Sequence, residues 1–121
     1  MLIMLVENNA DELRILQSCV AECYPDSEIV LFNDSKKAMD CIRSDKFMID
    51  MCFTDVVMPE TSGFGLVKEL RRHNKKAKLV LISDTPDYAE EAWKYHVNDY
   101  LMKPITTKSV RRTLTSCSAE N

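Results

Sequence analysis

The stretch Phe47-Met48-Ile49-Asp50-Met51-Cys52-Phe53-Thr54-Asp55-Val56-Val57-Met58-Pro59 decides the fold. From Phe47 to Thr54 it is nearly all apolar, it stops at Asp55, and Met58-Pro59 opens a loop that runs through Gly63. A strand with apolar residues on both faces has to be covered on both faces, as parallel sheets are and half-solvated antiparallel sheets are not. On its N-terminal side lies a similar run, Met1 to Val6, ending abruptly at Glu7-Asn8-Asn9, and the β-branched segment Glu28 to Phe32. On its C-terminal side lie Lys78 to Ile82, closed by Ser83-Asp84, and Asp99 to Met102, closed by Lys103-Pro104.

Between these runs the apolar period changes to three and four residues, the signature of helices. Leu13, Leu16, Val20 and Cys23 share one face of a first helix; Asn9 or Asn8 can cap it, Asp11 and Glu12 suit its first turn, and Pro25 ends it. Asn33-Asp34-Ser35 forms the turn and cap of a second helix with Ala38, Met39 and Ile42 inward. Phe64, Val67 and Leu70 mark a third, with Arg71, Arg72 and His73 in its last turn. Pro86 to about His96 reads as a fourth, and Thr106 or Thr107 caps a fifth with Val110, Leu114 and Cys117 on one face. Strand and helix thus alternate five times without repeats or low-complexity linkers. The predicted fold is α/β, a doubly wound five-stranded parallel sheet of order 2-1-3-4-5 in a single domain over residues 1–121.

Composition excludes several classes of function. Only two of the 121 residues are glycine, Gly63 and Gly65, where average usage gives about eight. Neither the three-glycine dinucleotide fingerprint nor a Gly-Lys-Ser/Thr phosphate loop can be built from them. A formal net charge of −3 argues against direct nucleic-acid contact. The basic cluster Arg71-Arg72, Lys75-Lys76 and Lys78 has no interleaved aromatics and is read as a solvated helix end. Five cysteines without a Cys-x-x-Cys, and two histidines far from any cysteine pair, do not make a zinc site; buried or half-buried thiols in a reducing cytoplasm are expected. No apolar stretch approaches the roughly 20 residues that span a bilayer, and the opening run lacks the basic flank of a signal peptide.

In an open parallel sheet ligands bind beyond the carboxyl ends of the strands, at the switch point between strands one and three. The residues expected on that rim are Glu7 and Asn8, Asp55, Ser83 and Lys103. Singly, each is an ordinary turn former, cap or solvated side chain. Together, two carboxylates and an amide oxygen suit Mg²⁺, while Lys103 and Ser83 can bind phosphoryl oxygens. The implied chemistry is phosphoryl transfer to a carboxylate, with Asp55 as nucleophile.

With these residues in place, the chain resembles the receiver domain of two-component response regulators over about residues 1–118. The resemblance rests on Leu5-Val6-Glu7-Asn8, Phe53-Thr54-Asp55-Val56-Val57-Met58-Pro59, Gly63, Ser83, Tyr100 and Lys103-Pro104, all in the family's order and spacing. Tyr88-Ala89-Glu90-Glu91-Ala92 and Val97-Asn98-Asp99-Tyr100-Leu101-Met102-Lys103-Pro104-Ile105 look most like receivers that precede a LytTR-type DNA-binding output. The resemblance implies a flavodoxin-like (βα)5 fold and a phosphorylation-controlled switch rather than an enzyme. Asp55 would accept the phosphoryl group from a histidine kinase or acetyl phosphate. Mg²⁺ would be held by Asp55, an acid of the first-strand pair and the backbone carbonyl of Val57. Ser83 and Lys103 would bind the phosphoryl oxygens, Tyr100 would be the aromatic switch, and Lys103-Pro104 would be cis. The fourth helix, fifth strand and last helix, with Trp93, Tyr95 and Tyr100, would form the face for a homodimer, an output domain or an effector.

Two positions depart from that pattern. Asn8 stands where the family's second acid normally ligates the metal, which removes an interaction worth up to about 4 kcal/mol before solvation. Weaker Mg²⁺ binding and slower phosphorylation are expected, with Glu7 able to take over as ligand. Asp84 replaces a small residue and would crowd the acceptor unless turned outward. These departures leave a second reading, a pseudo-receiver that binds a partner without phosphorylation. A haloacid-dehalogenase-type phosphatase would need an acid two residues after the nucleophile, where Val57 stands.

Overall fold

The computed structural model describes residues 1–119, with side chains as far as residue 113. Five strands, β1 (Leu2–Val6), β2 (Glu28–Phe32), β3 (Met51–Asp55), β4 (Lys78–Ser83) and β5 (Asp99–Met102), form one parallel sheet of order β2-β1-β3-β4-β5. The helices are α1 (Ala10–Cys23), α2 (Ser35–Ser44), α3 (Gly63–His73), α4 (Ala89–Lys94) and α5 (Thr107–Ala119). The expected doubly wound topology is therefore the observed one. Among the described residues no helix is long and apolar enough to cross a membrane.

Alternation along the buried strands sends side chains into two separate cores. Met4, Val6, Cys52, Leu79 and Leu81 pack with Ala38, Met39, Ile42, Val67 and Leu70 of α2 and α3. Ile3, Leu5, Met51, Phe53, Val80 and Ile82 pack with Leu13, Leu16 and Val20 of α1 and Val110 of α5. Complete removal of a large aliphatic chain from water is worth about 1.5–3 kcal/mol, so a sheet covered twice gains from every residue of its central strands. Caps fix the helix starts. Asn9 Oδ1 accepts the Glu12 N–H at 3.0 Å, and Asp34 Oδ1 accepts that of Lys36 at 2.8 Å.

Two boundaries differ from expectation. β3 starts at Met51, not Phe47, and Phe47 and Met48 are 55% and 63% exposed. α2 ends on Asp45 in the left-handed region, and the next residues are used to reach the sheet. There Asp50 Oδ2 accepts the Leu2 N–H at 2.8 Å and the Asp50 carbonyl accepts the Lys78 N–H. The fourth helix also does not run from Pro86 to His96. A single 3-10 turn (Pro86–Tyr88) leads into the six-residue α4, and His96 at φ 58° turns the chain toward β5.

Arg71 corrects the reading of its cluster as a solvated helix end. Its guanidinium donates to the carbonyls of Lys75, Ala77 and His96 at 2.9, 2.7 and 3.0 Å. It thereby ties the C-terminus of α3 to the turns that precede β4 and β5. Cys19 and Cys52 are buried and Cys23 and Cys41 half-buried, all four as free thiols. Leu114 and Cys117 of the last helix, assigned above to its inward face, lie outside the described side chains.

Candidate functional site at the carboxyl end of the sheet

Three parallel strands deliver the site. β1 ends immediately before Glu7, β3 ends on Asp55, and β5 stops one residue short of Lys103. Parallel register places these ends side by side, so residues 48 and 96 positions apart meet. Lys103 Nζ lies 3.0 Å from Glu7 Oε2 and 3.3 Å from Asp55 Oδ2. The lysine is held in turn by its backbone: its N–H donates to the Ser83 carbonyl at 2.8 Å, and the Lys103-Pro104 peptide is cis, as the resemblance implied. Glu7 and Asp55 are 3% and 7% exposed, far below the usual exposure of acids.

Such burial is tolerable only with a cation and hydrogen-bond donors nearby. Besides Lys103, the Asn9 N–H reaches Glu7 Oε1 at 3.1 Å. Burial still dominates and raises both carboxyls, Glu7 and Asp55, above their ordinary values, although Lys103 draws each of them back. For Lys103 the balance runs the other way. Burial works against its charge, but Glu12, Glu7 and Asp55 outweigh it and hold the ammonium above the ordinary lysine value.

The loop after β3 is tightly drawn against the acceptor. Val56 donates to the Ile82 carbonyl and accepts from Gly63, both at 2.9 Å. A Cβ on Gly63 would run into the Asp55 carbonyl oxygen, so close approach of backbones, not a special φ, requires glycine there. Val57, the next residue of this loop, is 58% exposed.

Ser83 and Tyr100 are joined through one residue. Ser83, 1% exposed, accepts the Thr85 N–H on Oγ at 3.1 Å. The Tyr100 hydroxyl donates to the Thr85 carbonyl at 2.6 Å, and its ring is half-buried. Asp84 between them is exposed, so it does not crowd Asp55. Asn8 is the candidate residue that does not join the cluster. It is exposed and lines a depression shared with Asn33, Asp34, Ser35, Pro59 and Glu60.

These observations place a buried carboxylate, a cation and a hydroxyl at the switch point of a β2-β1-β3-β4-β5 sheet. The family model that matches, over residues 3–115, is that of the response regulator receiver domain. The chain belongs to this family. Receiver domains are regulatory domains of two-component signalling, phosphorylated by histidine kinases and coupled to output domains. The two-component response regulator ARR10 of Arabidopsis thaliana is 27% identical over 113 residues, 92% of this receiver and 20% of that protein. The transcriptional regulatory protein NatR of Bacillus subtilis is 31% identical over 101 residues, 83% of this receiver and 42% of that protein. The chain thus spans well under two thirds of these relatives. The solved response regulatory domain of protein mrkE from Klebsiella pneumoniae superposes with a TM-score of 0.84 at 22% identity, covering 99% and 97% of the two chains. Chemotaxis response regulator CheY4 of Vibrio cholerae gives 0.80 at 19%, covering 96% and 97%; at such identities the likeness is of fold.

One participant was missed from the sequence. Glu12 Oε2 lies 2.9 Å from Lys103 Nζ, the shortest of the three carboxylate contacts to that lysine. Only half of this was available in the sequence: Glu12 precedes Leu16 by four residues, so it shares the inward side of α1, but its reach to Lys103 depends on packing between elements. The candidate dimerisation face is divided. Trp93 is 54% exposed, whereas Tyr95 stacks on Phe64 with centroids 5.1 Å apart and belongs to the core.

Among the described residues no group of three or more His, Cys, Asp or Glu side chains is arranged to hold a metal. Mg²⁺ does not require one, because one or two carboxylates plus water and phosphate oxygens suffice. Glu7 and Asp55 on one rim make an all-oxygen donor set that fits it.

Proposed function

We propose that the chain is a single receiver domain over residues 1–121, acting as a phosphorylation-controlled switch with Asp55 as acceptor. The observation that carries this reading is Lys103 bridging Glu7 and Asp55 at the switch point. A carboxylate oxygen of Asp55 attacks the phosphorus of a kinase phosphohistidine or of acetyl phosphate. The new O–P bond forms as the old P–N or P–O bond breaks, and the imidazole or acetate leaves with the electron pair. Glu7, Asp55, the Val57 carbonyl and, through its amide oxygen, Asn8 are the candidate Mg²⁺ ligands. Bound there, the ion would neutralise charge on the transferring phosphoryl oxygens.

The switch follows from what the new group demands. Phosphorylation adds nearly two negative charges and three strong acceptors. Ser83 can donate its O–H to them while its oxygen still accepts the Thr85 N–H, so a shift of Ser83 toward Asp55 pulls on Thr85, the residue that also holds the Tyr100 hydroxyl. Movement of Thr85 at one side therefore displaces the acceptor of Tyr100 at the other, so the loop after β4 and the ring move as one two-position element. The readout would be an output domain, an effector or a second copy engaging the α4-β5-α5 face, in the cytoplasm, with gene regulation as the consequence where the output binds DNA.

A second reading, a pseudo-receiver that binds its partner unphosphorylated, is favoured by one observation: Asn8 is exposed and lines a depression other than the one beside Lys103. Intact mass after incubation with acetyl phosphate and Mg²⁺ separates the two. A single phosphoryl adduct, absent in Asp55→Ala and without metal, supports the switch. No adduct from acetyl phosphate or a histidine-kinase donor, with none restored by Asn8→Asp, supports the pseudo-receiver.

A further inference from the structure

The proposed acceptor chemistry makes no use of Glu12, yet its carboxylate is the one closest to Lys103. An ammonium has three N–H donors. Glu12, Glu7 and Asp55, at 2.9, 3.0 and 3.3 Å, already supply three acceptors. A phosphoryl group on Asp55 brings additional oxygens, so Lys103 can serve them only by surrendering a present partner. The three are unequal in this respect. The Glu7 side chain is 4% exposed, with its other oxygen committed to the Asn9 N–H, and Asp55 itself carries the phosphoryl group. The Glu12 side chain is 44% exposed, so water can replace the lysine there at small cost. The cavity beside this contact is lined by Ile15, Leu16, Ile82 and Ile105, and offers the ammonium no neutral polar side chain in exchange.

Resting on the reading of Asp55 as acceptor, we propose that Glu12 is a positioning residue that competes with the phosphoryl group for Lys103. Its carboxylate draws the lysine toward α1, so the phosphoryl group has to compete with that pair for the ammonium. Glu12 therefore lowers the phosphorylated fraction and shortens its lifetime. It also brings a third carboxylate to the lysine, where Asn8 removes one from the first-strand pair.

The test compares the full chain with Glu12→Gln and with Asp11→Asn. The latter removes the same charge from the neighbouring residue, which pairs with Arg14 on the surface. Two quantities are read: proton exchange at the Lys103 ammonium by nitrogen NMR, assigned with Lys103→Arg, and the level and decay of the acetyl phosphate adduct by intact mass. Glu12→Gln is expected to speed ammonium exchange and to raise adduct level and lifetime about two- to fivefold, the scale of a partly exposed ion pair. Asp11→Asn is expected to match the parent protein in both. An unchanged adduct in Glu12→Gln overturns the proposal, as does an equal response in Asp11→Asn, which would make the effect one of general charge. No adduct in the parent protein from any donor overturns the acceptor reading and the competition with it, and faster ammonium exchange in Glu12→Gln would still identify the pairing.

Discussion

Both ends of the sheet are closed by a cation, and the two cations are satisfied in opposite ways. At the amino end Arg71 donates to three backbone carbonyls, those of Lys75, Ala77 and His96. At the carboxyl end Lys103 is shared among the side chains of Glu7, Glu12 and Asp55. Carbonyls are neutral, fixed by the backbone and do not titrate, so the Arg71 contacts make a permanent tie. Carboxylates titrate, rotate and can be exchanged for other anions, so the Lys103 cluster can be reset by an incoming charge. The planar fork of arginine suits the first role and the compact ammonium the second.

The largest expected effect breaks the amino-end tie. Arg71→Leu strands three carbonyls and should cost about 3–5 kcal/mol in urea unfolding, since hydrogen bonds to a charged group are worth about 1.5–3 kcal/mol each and do not add fully. The part of that loss carried by the three carbonyls should be the same at pH 5 and pH 8, because carbonyls do not ionise. Gly63→Ala comes next: its Cβ meets the Asp55 carbonyl, and overpacking of this kind costs about 1–3 kcal/mol. It should also depress the phosphoryl adduct, which Arg71→Leu should not at temperatures where the protein stays folded.

Lys103→Met sharpens the contrast through pH. Burial already raises Glu7 and Asp55 above their ordinary values, and without the lysine both rise further. Between the unfolded and the raised folded values the native state binds more protons, so stability falls as pH rises through that window. The variant should therefore lose about 2 kcal/mol at pH 7, with the loss shrinking toward pH 4, measured by urea titrations at each pH. A loss independent of pH would mean that the two ends do not differ as described. Smallest is Asn8→Asp, which restores one exposed charge and should tighten Mg²⁺ binding about tenfold, roughly 1.4 kcal/mol, as read by calorimetry.

The course of the chain was legible wherever a local rule governed it. Continuous apolar runs marked β1, β3 and β4 as doubly covered, and the change of period marked α1 to α3. Asn9 and Asp34 capped where their side chains predicted. Phe47 and Met48 misled because apolarity reports a tendency to be buried and says nothing of geometry; the left-handed turn at Asp45 left the chain short of the sheet. Arg71 and Glu12 misled for a related reason. Both are charges at helix ends, where solvent is the ordinary partner, and each found a partner distant in sequence, Arg71 the carbonyl of His96 and Glu12 the ammonium of Lys103.

What the sequence determined by itself was therefore the order and type of elements, the two-sided core, and the set Glu7, Asp55, Ser83 and Lys103 on one rim, because strand ends in a parallel sheet converge whatever lies between them. Only the tertiary structure decided that Glu12 joins them, that Asn8 and Asp84 turn to solvent, and that Thr85 links Ser83 to Tyr100. Those outcomes depend on distances of about 3 Å between side chains and loops, and such distances are set by packing across elements, which no local periodicity encodes.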